Sequence, residues 1–245
     1  MDFVIIGIVS FGATVLTFFS GFGLGTILLP AFAIFFPTSI AVMATGIVHL
    51  LTNLLKGTLV RKFVDWSTVY RFGIPAIPTA ILGALLLSYV NERTLAILIG
   101  VVLILFAILE LQPWFQKITF PQKFLPLGGM LTGFMGGLTG QQGALRSMFL
   151  LKSSFTPQVY VSTGVLIAIL IDIARIPTYV AGIAGSATIT KHEISLIAFG
   201  TICAFLGAYI GAKSLPKISI SYIRFIVAGL MVIIGTLLIL GIIGS

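Results

Sequence analysis

The fold of this chain is decided by Ser20-Gly21-Phe22-Gly23-Leu24-Gly25-Thr26, a glycine-rich break inside a long apolar run. A second break, Thr139-Gly140-Gln141-Gln142-Gly143-Ala144-Leu145, follows about 119 residues later in the same kind of surroundings. Each break is followed by a short apolar stretch, a proline and a second apolar run. Irregular backbone at membrane depth is tolerated only where protein covers it or where it lines a cavity. Two matching breaks therefore indicate an internal repeat in a membrane protein.

The composition excludes a water-soluble domain. The chain has 245 residues, of which 58% are hydrophobic and 8% charged, whereas soluble domains carry about 25% charged residues. We therefore expect an all-α integral membrane protein with one transmembrane domain over 1–245. Met1-Asp2-Phe3 lacks the basic region of a secretory signal peptide, so we expect no cleaved leader. The net charge of +8 is assigned to loops at the membrane surface, with no nucleic-acid partner.

The apolar runs give the number of membrane crossings. Crossing a bilayer takes about 20 helical residues, and six runs are long enough. These six are 39–60, 68–90, 94–111, 156–182, 194–212 and 220–243. The runs on either side of the two breaks are 3–19, 24–36, 124–138 and 143–151. The second run of each pair is too short to cross alone.

Two arrangements fit these runs. In the eight-span arrangement, 3–19 and 124–138 cross the membrane, each is followed by a re-entrant piece, and the two halves are parallel. In the hairpin arrangement, each break is the tip of a helical hairpin that dips to the midplane and returns. Each half then has one hairpin and three spans, about eight apparent spans in all, and the odd number of crossings inverts the halves. Repeat one is expected at 1–112 and repeat two at 121–245.

The basic residues favour the hairpin arrangement, because Lys and Arg in short loops concentrate on the cytoplasmic side. The eight-span arrangement divides them six to four between the two sides, whereas the hairpin arrangement divides them eight to two. The larger hairpin group is Arg61, Lys62, Arg71, Lys117, Lys123, Lys152, Lys213 and Lys217. We therefore expect a multi-pass protein of the inner cell membrane with both termini outside the cytoplasm.

The breaks are the first candidates for a binding site. Glycines allow close backbone approach, and the helix after each break presents unpaired N–H groups and a positive dipole end that favour an anion. The alternative is that these glycines only let helices pack closely. The candidate substrate-binding residues at the breaks are Gly21, Phe22, Gly23, Gly25, Thr26, Gly140, Gln141, Gln142 and Gly143.

Further candidates lie in the apolar runs that follow the breaks, where ionisable groups are costly and indicate function. The substrate-binding candidates there are Thr45, His49, Asn53, Arg146 and Thr163. Arg146 either donates to an anion or extends to the membrane surface, and His49 either relays a proton or bonds neutrally between helices.

Three further charges, Lys56, Asp172 and Arg175, are coupling or structural groups. Asp172 and Arg175 stand at i, i+3 and predict a local ion pair, with Asp172 also a candidate for proton or cation coupling. Lys56 lies near the end of its run, where its amine can instead extend to the surface. No metal-ligand cluster, cofactor motif or catalytic triad occurs in the sequence, so we expect no enzyme.

Over nearly its whole length the chain resembles the TauE/SafE family of sulfite and sulfonate exporters. The resemblance rests on the first break with Pro30, on Thr45 to Lys56, on Gly133 to Gly143 and on Thr163 to Tyr179. It implies two related halves and the export or uptake of small sulfur-containing or other organic anions. At Gln141-Gln142 the chain departs from its more glycine-rich relatives, which leaves the substrate undefined.

We therefore expect a secondary transporter that moves a small anion of the sulfite or sulfonate type by alternating access. The alternatives are an anion channel, a transporter of a non-sulfur carboxylate, and a membrane enzyme acting on lipids. The expected partners are the anionic substrate and the lipid bilayer. A coupling proton, a coupling sodium ion and a homodimer remain open.

Overall fold

The structure, a computed structural model, describes residues 1–17, 24–112, 120–150, 155–183, 189–214 and 220–244. The described residues form helices and turns without a strand, which confirms the all-α prediction. In chain order the helices are α1 Asp2–Thr17, α2 Leu24–Ala33, α3 Thr38–Val60, α4 Trp66–Leu87, α5 Glu92–Leu111, α6 Leu125–Thr139, α7 Gly143–Leu150, α8 Pro157–Ile183, α9 Lys191–Ser214 and α10 Ile220–Leu240.

Five of these helices are long and apolar enough to cross a membrane. They are Thr38–Phe63, Trp66–Leu87, Glu92–Leu109, Pro157–Gly182 and Lys191–Lys213. They correspond to five of the six predicted spans, and the sixth predicted span coincides with α10, which has 21 residues. The helix ends follow local chemistry: Asn91 accepts a hydrogen bond from the Thr94 N–H at 2.8 Å and thereby caps α5.

The helices on either side of the breaks differ in length. α2 has 10 residues and α7 has 8, so at about 1.5 Å per residue neither crosses a hydrocarbon core of about 30 Å. α1 has 16 residues and α6 has 15, which makes both longer than half of that core. The two short helices are the ones that lead into the interior of the protein.

The apolar core surrounds α2. Leu28, Leu29 and Phe32 of α2 and Met43 of α3 are fully buried in one continuous cluster. α2 packs against α1, α3 and α10, so its backbone is covered by protein on several sides. The helix that follows the first break is therefore covered by protein. Such cover is the condition under which irregular backbone is tolerated at membrane depth.

Helices α3 and α8 cross the centre of the molecule in opposite directions. Gly46 of α3 faces Arg175 of α8. Gly57, further along α3, faces Val165. As the residue number rises along α3, it falls along α8. Seven of the seventeen candidate site residues lie on these two helices.

Helices α4 and α6 run parallel with their backbones in contact. A side chain added at Gly129 would overlap the backbone of Phe72, and one added at Gly137 would overlap the backbone of Ala80. The residue numbers rise together along the two helices, which fixes their common direction. Small residues permit this close approach, as is usual between helices in membranes.

Helices α1 and α9 form a second parallel pair. Asp2 accepts a hydrogen bond from the His192 ring at 2.8 Å where both helices begin, and Gly207 packs on the backbone of Phe11 further along. The first helix of each predicted half thus packs on a helix from the other predicted half, α1 on α9 and α6 on α4. The pairs α3–α8 and α5–α10 likewise join one helix of the first predicted half to one helix of the second.

Candidate functional site

The second break is a tight turn between α6 and α7. Gly140 ends α6 with a φ of 76°, a left-handed conformation that glycine adopts without steric cost, and its N–H donates to the carbonyl of Gly136 at 3.1 Å. α7 begins at Gly143. In the first break, the predicted site residues Gly21, Phe22 and Gly23 lie outside the described residues.

The described edge of the first break touches the second break. A Cβ atom added to Gly25 would lie 3.4 Å from the carbonyl oxygen of Gly140 and 3.7 Å from the methyl group of Thr45. The Thr26 hydroxyl donates to the Gln141 side-chain oxygen at 2.8 Å. The starts of α2 and α7, about half a chain apart in sequence, are therefore neighbours.

A buried carboxylate organises the polar interior beside the second break. Asp172 is fully buried, and its Oδ1 accepts hydrogen bonds from Gln142 Nε2 at 2.8 Å and from Arg175 Nε at 2.9 Å. This contact confirms the predicted ion pair between Asp172 and Arg175. Arg175 also donates to the carbonyl of Gly136, and the Tyr179 hydroxyl donates to the carbonyl of Gly137, so this network holds α6 against α8.

His49 joins α3 to this network. Its Nδ1 lies 2.6 Å from Asp172 Oδ2, and the Asn53 amide nitrogen lies 3.1 Å from Nδ1 and 3.2 Å from Nε2 of the same ring. His49 and Asn53 are four residues apart on one face of α3, as the sequence predicts. Their contact with α8 links two residues that are 123 positions apart in the chain.

A small cavity lies next to His49, with a water-accessible volume of about 20 Å³. About 10–15 Å³ of such volume is enough for one water molecule, so the cavity holds water or a small part of a ligand. Its walls come from α1, α2, α3, α7 and α8. The lining residues are Thr17, Leu24, His49, Asn53, Lys56, Arg146, Tyr160, Val161, Gly164 and Val165.

Two cationic side chains face this cavity. Lys56 and Arg146 each have about 4% of their surface exposed, so the alternative in which they extend to the membrane surface is wrong for both. Arg146 Nη1 lies 3.5 Å from the side-chain oxygen of Gln142, which connects the cavity wall to the carboxylate network. Gly164 leaves room for the guanidinium, since a Cβ atom there would lie 3.5 Å from Arg146 Nε.

The interior carries an excess of positive charge. The buried described residues include three basic side chains, Lys56, Arg146 and Arg175, but a single carboxylate, Asp172. The chain has six acidic residues in all, and the other five stand at or next to helix ends. They are Asp2, Asp65, Glu92, Glu110 and Glu193. With Lys56 and both arginines protonated and His49 neutral, the excess is two positive charges, which favours an anion in the cavity because buried charges require compensation.

Two of the predicted site residues, Thr163 and Thr45, do not line the cavity. The Thr163 hydroxyl accepts a hydrogen bond from the Asp65 N–H at 2.9 Å, so it ties the α3–α4 connection to α8 and is not among the cavity-lining residues. Thr45 lies near the meeting point of the breaks rather than in the cavity wall. Its buried hydroxyl and the buried Gln141 Nε2 find no hydrogen-bond partner among the residues that the structure describes.

Sequence reasoning missed Tyr160, Gly164 and Tyr179. The Tyr160 hydroxyl donates to Ser147 Oγ of α7 at 2.8 Å, and Tyr160 also lines the cavity. A signal existed, because steps of four residues backward from Asp172 along α8 reach Ala168, Gly164 and Tyr160 on one helical face.

Comparison with known proteins identifies the family of this chain. A family model described as "Sulfite exporter TauE/SafE" matches residues 6–238, a range that includes both breaks and every cavity-lining residue. No curated protein and no solved structure matches the chain at a significant level. Because the match covers nearly the whole chain, this protein belongs to the TauE/SafE sulfite exporter family.

Proposed function

We propose that the protein is a secondary transporter that moves a small sulfur-containing anion, sulfite or a sulfonate, by alternating access. The observation that carries this proposal is the buried excess of positive charge around the cavity between α3, α7 and α8. A cation in the interior is costly unless an anion compensates it. A site with this charge therefore selects anions and rejects cations and neutral solutes.

In this proposal Lys56 and Arg146 hold the substrate by charge. Arg146 offers a planar fork that matches two oxygens of an oxyanion, whereas Lys56 offers a point charge with three donors. Asn53 and Tyr160, which line the same cavity, supply neutral polar contacts. The N–H groups at the starts of α2 and α7 lie on the adjacent side and add the positive ends of two helix dipoles.

Two inverted halves with the hairpin arrangement form part of the proposal. Because α3 and α8 are antiparallel, α9 starts on the side where α3 starts. α1 begins beside the start of α9, and only four residues separate the end of α2 from the start of α3 on that same side. The segment from α1 to α2 then enters and leaves on one side, as a hairpin does. The helix pairs that join the two predicted halves also support a two-fold relation between them.

The rocking of one half against the other would expose the cavity alternately to the two sides of the membrane. We place the protein in the inner cell membrane with both termini outside the cytoplasm, on the distribution of Lys and Arg among the loops. Transport energy would come from an ion gradient or the membrane potential.

Counterflow in proteoliposomes tests this proposal. Vesicles loaded with unlabelled sulfite should transiently accumulate labelled sulfite, and an excess of a sulfonate should compete. Saturable counterflow supports a transporter, whereas flux without counterflow would support a channel. Counterflow of acetate or another carboxylate, with none for sulfite or sulfonates, would assign the site to the non-sulfur alternative.

A further inference from the structure

We propose that His49, held against Asp172, is the proton-binding residue that couples proton movement to anion movement in this protein. The inference rests on the proposed function and adds the coupling ion and its site. One proton would bind on the His49 ring and cross the membrane in the same direction as the anion.

The position of His49 carries the first step. The ring is in contact with the buried carboxylate of Asp172 on one side, and it lines the cavity with Lys56 and Arg146 on the other. A proton on this ring therefore lies within the same polar interior as a bound anion. Asp172 Oδ1 already accepts from Gln142 and Arg175, which leaves Oδ2 to hold the ring in place.

The second step concerns Asn53. With a neutral ring, Nδ1–H donates to Asp172 Oδ2, and Nε2 accepts from the Asn53 amide nitrogen at 3.2 Å. A proton taken up from water adds to the lone pair of Nε2, so Nε2 becomes a donor and can no longer accept. Rotation of the Asn53 amide would then present its oxygen to Nε2 and direct its N–H₂ group to the cavity, where it can donate to an oxyanion.

The charges around His49 give the third step. Asp172 of α8 contacts the ring, with Arg175 and then Tyr179 of the same helix behind it. The other titratable groups that share the cavity with the ring are Tyr160 of α8, Arg146 of α7 and Lys56 of α3. α2 has no titratable residue. The titratable groups described on α9 lie elsewhere: Lys191 and Glu193 are in its first turn, His192 contacts Asp2, Cys203 faces Gly7, and Lys213 contacts Tyr209. Helix α5 also contacts α3, and there Glu92 accepts a hydrogen bond from the Ser39 hydroxyl. Ser39 lies at the start of α3, away from His49.

These charges make the binding of the proton and the binding of the anion depend on each other. A proton on His49 adds a positive charge to a region that already has an excess of two, so it is unfavourable without an anion. An anion in the cavity removes that penalty, and the proton in return strengthens anion binding by the same factor. Couplings of this kind amount to roughly 5–150-fold in affinity.

Gradient-driven uptake of labelled sulfite by proteoliposomes tests the inference. The external pH is identical in all samples, the internal pH is either equal to it or more alkaline, and the membrane potential is clamped to zero. Sulfite outside then has the same protonation in both conditions. Wild-type protein should take up sulfite severalfold faster with the proton gradient, because the alkaline interior removes the proton that the anion carried across.

His49→Gln should lose this stimulation, because the amide keeps polar contacts but does not titrate. The matched control is His192→Gln, which removes the other histidine of the chain, an exposed residue where α1 and α9 begin. This control should be stimulated like the wild type. If wild-type protein shows no sulfite counterflow, the proposed function fails. If counterflow occurs and His49→Gln is stimulated as strongly as His192→Gln, the proton site is refuted.

A second measurement does not depend on the folding of the His49 variant. In His192→Gln protein labelled with ¹³C-histidine, the single remaining histidine signal belongs to His49. Addition of sulfite at constant pH should shift this signal toward that of the imidazolium. A ring that stays neutral at saturating sulfite would overturn the inference, even if no transport measurement on the His49 variant succeeds.

Discussion

Replacement of Lys56 by Met tests whether the buried charge of the cavity binds the substrate. Met has a similar length and fills the same space without the charge. Lys56 is about 4% exposed and faces the cavity, so its contact with an anion would be a charge-assisted hydrogen bond in a desolvated place. Such a bond is worth about 1.5–3 kcal/mol, which corresponds to roughly 10–150-fold weaker sulfite binding in Lys56→Met.

The same substitution should stabilise the protein when no anion is bound. Removal of one of two like charges on the cavity wall relieves repulsion and a desolvation cost. The assay is thermal unfolding of detergent-solubilised protein over a sulfite titration, which gives both the anion-free melting temperature and the affinity. The control is Lys213→Met, because Lys213 is exposed and contacts Tyr209 instead of the cavity. If Lys56→Met and Lys213→Met bind sulfite equally well, Lys56 is no substrate ligand.

Three other changes have definite expected outcomes. Gly133→Ala should yield unfolded or aggregated protein on gel filtration, because the added methyl group overlaps the carbonyl of Ala76, whereas Gly229→Ala, with open space around it, should elute like the wild type. Arg146→Gln should weaken sulfite binding about tenfold or more, and Arg146→Lys should recover part of the loss because the charge survives without the fork; wild-type affinity in Arg146→Gln would contradict this role. A reporter fused to residue 245 should be accessible from outside the cytoplasm, and a cytoplasmic signal would contradict the orientation derived from the loop charges.

The helices could be predicted from the sequence because membrane insertion requires continuous apolar runs. The run at 39–60 corresponds to α3, Thr38–Val60, and the run at 124–138 corresponds to α6, Leu125–Thr139. Hydropathy is a local property, so it locates helices to within a few residues. It contains no information on which helices touch. The parallel pairs α1–α9 and α4–α6 depend on backbone contacts between distant segments.

The charged network shows the same division between local and distant information. Asp172 and Arg175 could be paired from their spacing, since i, i+3 residues share a helical face. The bond between His49 and Asp172 joins positions 123 apart and could not be derived from spacing. Its recognition required knowledge that α3 and α8 are antiparallel and in contact at these levels. A single sequence does not give that register.

The glycines could be located but not sorted by role. Gly100 stands in the middle of an ordinary apolar run, yet a Cβ atom there would lie 2.6 Å from the carbonyl oxygen of Gly235. It is a close-packing residue of the α5–α10 contact, so its substitution would disturb the fold. Gly140 instead adopts a positive φ at the second break. Both are glycines in apolar surroundings, and only the contacts of the folded chain separate a packing role from a turn.

The cost of the buried cations links folding to substrate. Three cations and one carboxylate in the interior oppose folding of the anion-free protein, because desolvated like charges repel. A chain selected for stability alone would replace Lys56 or Arg146 with an apolar residue, as in the Met variant above. An anion at a concentration of a hundred times its dissociation constant stabilises the folded state by about 2.7 kcal/mol. A destabilising charge excess around this cavity is therefore best explained by a substrate that carries a compensating negative charge.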